Sequence, residues 1–153
     1  MVRGLDIFKK HFNEHTDKFV LIGGCACDIV FNEIDLEFRA TKDLDIVLIL
    51  EAVDADFAKV FWSFIKKGEY KNHQKSTGKK QFYRFYEPNV KSYPYMIELF
   101  SKVPNALQDN PTAHLTLISF DDAASSLSAI LLESAYYNFI KRGRIIINGS
   151  SPI

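Results

Sequence analysis

Two stretches govern the reading of this chain: Phe19-Val-Leu-Ile-Gly-Gly24 and, about 20 residues later, Asp43-Leu-Asp-Ile-Val-Leu-Ile-Leu50. The first is a short apolar strand running straight into two glycines, after which a helix is expected from Cys25 to about Leu36. Two glycines let the backbone approach a ligand closely, and a helix start there leaves free N–H groups that favour an anion. On its own the pair is equally a tight strand-to-helix turn. The second stretch is a strand that begins polar and ends fully apolar. Side chains alternate along a strand, so Asp43 and Asp45 share one face and Leu44 turns to the other. Adjacent like charges repel, and a cation between them relieves the repulsion. Magnesium, a hard ion that takes oxygen ligands, suits such a pair.

A third acid appears in Met96-Ile-Glu-Leu-Phe100. With Ile97 and Leu99 facing a core, Glu98 faces outward with the aspartates. Three such carboxylates can hold one or two metal ions for in-line phosphoryl or nucleotidyl displacement. The ordinary alternative makes Asp43 a strand start, pairs Asp45 with Lys42 or Arg39, and leaves Glu98 as a surface residue.

Around these stretches the chain reads as one domain. It has 153 residues, 47% of them apolar and 25% charged, which excludes a disordered, collagen-like or coiled-coil protein. A helix is expected over 3–16, with Leu5, Phe8 and Phe12 at helical spacing. Another spans Asp54 to Lys66, with Phe57, Val60, Phe61, Phe64 and Ile65 on its buried stripe. A Lys-rich loop follows, then strands at Gln81–Tyr86, Tyr93–Ser101 and His114–Phe120. Ser119-Phe-Asp-Asp122 resembles a helix-start box, and a long helix is predicted from there to about Arg142, stopped by Gly143. The tail from Arg144 to Ile153 reads as a strand and turn without a closing element. The order predicts an α+β (mixed α/β) fold with one mixed sheet flanked by helices.

Apolar runs are strand-sized, so no transmembrane helix is predicted, and the N-terminus lacks the apolar core of a signal peptide. The expectation is a cytoplasmic protein. Cys25 and Cys27 make neither a disulfide framework nor a zinc site and read as small side chains in a reducing compartment. Net charge is zero, but residues 66–84 carry seven basic residues against Glu69 alone. That segment is either a polyanion contact or a solvated loop. His11-Phe-Asn-Glu-His15 fits H-x-x-E-H, a zinc-peptidase spacing, against a plain surface pair. His114 is a candidate proton shuttle or an ordinary half-buried histidine. Tyr83, Phe85, Tyr86, Tyr93 and Tyr95, beside the basic segment, are either a stacking surface for single-stranded nucleic acid or, as is more common on strands, core and cross-strand packing.

Taken in order, Phe19–Gly24, Arg39-Ala-Thr-Lys-Asp-Leu-Asp-Ile46 and Met96-Ile-Glu-Leu99 resemble the nucleotidyltransferase superfamily that includes DNA polymerase beta and the CCA-adding enzymes. The nearest likeness is to the branch of AbiEii-type abortive-infection toxins and related bacterial proteins, over about residues 18–102. The resemblance implies a nucleotidyltransferase-like fold and a reaction with Mg2+ (or Mn2+) and a nucleoside triphosphate. It implies that Asp43, Asp45 and Glu98 are the metal-binding and catalytic acids. Gly23 and Gly24 would contact the triphosphate, with Arg39, Thr41 and Lys42 beside it. The acceptor it implies is RNA, a tRNA end or a partner protein of antitoxin type. Glu98 stands where the superfamily more often has Asp. The helical region that usually follows is represented by 121–142 alone, which makes the chain read as a fragment lacking a C-terminal helical extension. The alternative function is a catalytically inactive domain of this fold that binds a nucleotide as a regulator.

Overall fold

A computed structural model describes residues 2–34, 42–74, 80–102, 115–118, 127–147 and 149–153. The order is α1 (Leu5–His11), β1 (Phe19–Ile22), α2 (Gly23–Glu33), β2 (Asp43–Leu48), α3 (Ala55–Gly68), β3 (Lys71–Gln74), β4 (Lys80–Tyr86), β5 (Met96–Lys102), β6 (Leu115–Ile118), β7 (Leu127–Leu132) and α4 (Ser134–Gly143). All seven strands belong to one mixed sheet, β1-β2-β5-β4-β3, with β7 joined to β5 and β6 to β7. The mixed α+β expectation holds at this level.

The sheet is built around β5. Its one edge pairs with β2 in parallel, Asp45 opposite Glu98. Its other edge is shared by two strands in succession: β4 runs antiparallel beside Met96–Glu98, and β7 runs parallel beside Phe100–Lys102. Strict alternation along β5 buries Ile97 and Leu99 completely. β2 alternates only in its first half and is buried throughout its second, as expected of a central strand covered on both faces.

One face carries the main core. Phe8 of α1 and Phe12 just after it, Phe57, Phe61 and Phe64 of α3, and Cys25 and Ile29 of α2 pack there with Phe19, Leu21, Leu44, Ile46, Ile97 and Leu99. The predicted stripe of α3 is the buried one, except that Val60 is only half-buried. Asp54 caps this helix by accepting from the Phe57 N–H at 2.8 Å, leaving its first turn with one fewer unpaired donor. The other face is smaller: Val20, Val47 and Ile49 gather around Tyr137 of α4. Asp43, Asp45 and Glu98 belong to that second face by alternation.

Several expectations need correction. The long helix to Arg142 is not formed over Leu127–Leu132, which is β7, and α4 begins only at Ser134. A short, mostly apolar run suits a buried strand as well as a helix turn, and the pairings with β5 and β6 decide for the strand. The helix-start box at 119–122 lies outside the described residues, as does His114. The first helix is shorter than predicted, Leu5–His11, and α2 starts on Gly23 rather than Cys25. The strand predicted from Tyr93 to Ser101 is β5, which begins at Met96. The Lys-rich segment is not one loop: it includes the end of α3, β3 and the start of β4, with residues 75–79 outside the description. The tail does not end free, because the Leu21 N–H donates to the Pro152 carbonyl at 2.8 Å, and Ile145 and Ile153 exchange two backbone bonds. It thereby covers the edge of β1 that β2 leaves open.

Candidate active site

The site is assembled by strand register. Ile22 is opposite Asp45, Asp45 opposite Glu98, and Glu98 opposite Arg84. One row across four strands therefore ends in the Gly23–Gly24 turn at one side and in an arginine at the other. Parallel neighbours lie about 4.8 Å apart along such a row, close enough for Asp45 and Glu98 to repel, weakly through water and more where they are partly buried.

Gly23 opens α2 with φ +69°, a conformation that a side chain makes costly. A Cβ there would also stand 2.9 Å from Asp45 Oδ2, so the turn rests directly against the carboxylate. Ile22, the residue before the helix, offers no side-chain cap. The first N–H groups of the eleven-residue α2 thus look out beside Asp45 without an intrahelical acceptor.

The electrostatics follow first from burial and then from crowding of like charges. Burial, then Glu98 and then Asp43 push the Asp45 carboxyl up to about 6. Asp43 is also raised, first by burial and then by Glu98, while Lys42 and Arg84 act against the rise. Glu98 is 15% exposed along its side chain and accepts from Arg84 Nη2 at 3.2 Å. Lys42 is exposed and its Nζ lies 5.8 Å from the centre of the Tyr95 ring, at the outer rim of cation–π range. Cys25, on the core side of α2, has its thiol pushed up to about 12 by burial, then by Asp28 and Asp45.

Of the sequence-predicted site residues, Gly23, Asp45 and Glu98 come together in the row, with Gly24 in the turn and Asp43 one pleat away on the same face. Lys42 is adjacent. Arg39 and Thr41 lie outside the described residues. The residue missed as a site member is Arg84, read only as the end of a basic segment. Nothing local marks it, since its place depends on β4 pairing with β5.

Among the described residues no three His, Cys, Asp or Glu side chains are gathered to hold a metal ion. At this site Glu98 is engaged by Arg84. The donors nevertheless have the chemistry Mg2+ takes: carboxylate oxygens alone, on one face, with Asp45 short of compensating positive charge. The H-x-x-E-H pair is not a metal centre as it stands, because His11 Nε2 is 2.8 Å from the Val60 carbonyl oxygen and His15 packs edge-on to Phe57. Among the described residues no helix is long and apolar enough to cross a membrane.

Comparison with protein-family models, with curated proteins and with solved structures gave no match.

Proposed function

We propose that this chain is a nucleotidyltransferase that moves a nucleoside monophosphate from a nucleoside triphosphate to a hydroxyl on an RNA or protein acceptor. The observation that carries the reading is the row Gly23–Asp45–Glu98, held by the β1–β2 and β2–β5 registers. A glycine-fronted helix start beside carboxylates is a poor arrangement for stability and a useful one for a phosphate with a bridging cation.

In this reading the phosphates lie over the Gly23 and Gly24 backbone, where N–H groups donate to the anionic oxygens at no reorganisation cost. Asp43 and Asp45 would hold Mg2+, or Mn2+ in its place, with Glu98 as a third ligand or as the base. Bound there, the ion would supply positive charge to the triphosphate oxygens. The acceptor hydroxyl oxygen attacks the α-phosphorus as the bond from that phosphorus to the bridging oxygen breaks. Pyrophosphate leaves, and the hydroxyl proton passes to Glu98. Positioning and charge stabilisation provide most of the acceleration in such transfers. Lys42, just before the acids, is placed to steer the anionic substrate.

The test is incubation of purified protein with each α-labelled triphosphate, Mg2+ and cell extract, beside Asp45→Asn. Label moved by the wild type alone is the expected result, and the labelled fraction identifies the acceptor class. Equal transfer by the variant would sink the mechanism. The grip of Arg84 on Glu98 favours a second reading, a regulatory domain that binds nucleotide without turnover. Triphosphate binding without any transfer would select it.

A further inference from the structure

We propose that Arg84 is a phosphate-binding residue that passes from Glu98 to the triphosphate, so that arrival of the substrate frees the third carboxylate. The inference rests on the nucleotidyltransferase reading of the site. Arg84 stands on β4 opposite Glu98, while its neighbour Phe85 is fully buried on the other face. A guanidinium offers five N–H donors in a planar fork. Among the described residues it makes one hydrogen bond, from Nη2 to Glu98 Oε2 at 3.2 Å. Its Nε is buried and has no hydrogen-bond partner among the described residues. A buried donor left unpaired is costly, so the free protein holds this arginine incompletely satisfied.

A phosphate group meets that deficit better than a single carboxylate oxygen does, because its oxygens match two edges of the fork at once. Access favours the same exchange. The Arg84 side chain is 42% exposed and that of Glu98 only 15%, so an incoming ligand reaches the arginine first. Its Cζ lies 5.6 Å from the centre of the Tyr83 ring, a surface that can support the guanidinium away from Glu98. The electrostatics also require a cation on the substrate side, since Asp43, Asp45 and Glu98 would otherwise repel a triphosphate. While Arg84 donates to Glu98 Oε2, that oxygen is engaged and is not offered to a metal ion or a hydroxyl. Once the arginine turns to the phosphates, Glu98 joins Asp43 and Asp45.

The test measures two affinities in the full chain: Mn2+ alone, by the resonance of the free ion, and a non-hydrolysable α,β-methylene nucleoside triphosphate, by calorimetry. For Arg84→Gln we expect Mn2+ alone to bind more tightly, by roughly up to tenfold, as suits release of a partly exposed ion pair. The triphosphate, measured with Mn2+ present, binds about tenfold or more weakly. Arg84→Lys, which keeps the charge but loses the fork, leaves Mn2+ affinity near wild type and recovers only part of the triphosphate affinity. A merely structural arginine would not move the two constants in opposite directions. Glu98→Gln attacks the pair from its other side and serves if Arg84→Gln does not fold. It releases Arg84, so metal-free triphosphate affinity rises above wild type; an unchanged value overturns the exchange. A folded Arg84→Gln with both constants unchanged, or moved the same way, overturns the role of Arg84 and leaves the site reading intact. A wild type that binds neither probe overturns both.

Discussion

Asp45→Asn is expected to make the protein more stable while abolishing transfer. Asparagine keeps the size of the side chain and removes the charge that Glu98 and Asp43 oppose. The carboxyl is raised from 3.8 to about 6 in the folded protein. At 1.36 kcal/mol per pKa unit, and discounted for solvent screening because the side chain is only half-buried, the folded state gives up about 1–2 kcal/mol to keep this group ionised at neutral pH. For a chain of this size that corresponds to a rise in Tm of about 2–8 °C in the variant. The pH dependence has a definite sign. A carboxyl raised on folding contributes its stability below the unfolded value near 3.8 and loses it as pH climbs through about 6. Wild type and variant therefore converge below pH 4, diverge between 4 and 6, and stay apart above 6. Urea unfolding of both proteins at several pH values between 4 and 8 measures the gap directly. Saturating Mg2+ closes part of it by stabilising the wild type alone. A variant no more stable than wild type at pH 8, or a gap constant from pH 4 to 8, would refute the reasoning.

Three further outcomes follow from the same geometry. Gly23→Ala is expected to cost about 1 kcal/mol or more in stability, because φ is +69° there. It lowers triphosphate affinity as well, since the new Cβ would press on Asp45 Oδ2; denaturation and calorimetry read the two effects separately. A thiol reagent at pH 8 modifies exposed Cys27 quickly and Cys25 only after denaturation, because Cys25 is fully buried and its thiol is pushed up to about 12; two fast thiols in the native protein would contradict this. Tyr137→Phe removes the hydroxyl that donates to Glu51 and accepts from the Leu50 N–H. It is expected to cost about 1–2 kcal/mol by urea unfolding. Glu51 contributes to acid sensitivity near that network. Burial pushes it up, but hydrogen bonds from Lys102 and Tyr137 outweigh this and hold it at about 2, so its contribution is present above 4.5 and is lost as pH falls towards 2.

What could be read along the chain was local, and what could not was set by distant partners. Phe19–Ile22 running into Gly23 was legible because an apolar run ended by glycines has few alternatives. Asp43 and Asp45 were legible as one face because a strand has a period of two. Glu98 joined them through the buried Ile97 and Leu99 that flank it. Leu127–Leu132 misled because Leu, Ala and Ile in a short run satisfy a helix or a buried strand, and the pairings with β5 and β6 that decide lie outside the run. Lys71–Gln74, made of Lys, Asn, His and Gln, has little strand propensity and is a strand through its pairing with β4. Arg84 entered the site by the same long-range route: its side chain looks like any other charge in a basic segment until β4 is laid beside β5.

The most direct test of the central claim is anomalous diffraction from crystals grown with Mn2+ and a non-hydrolysable nucleoside triphosphate. The account predicts a manganese peak against the carboxylates of Asp43 and Asp45, with the phosphates over Gly23 and Gly24. Manganese and nucleotide bound elsewhere on the protein, with Asp43 and Asp45 touching neither, would contradict it.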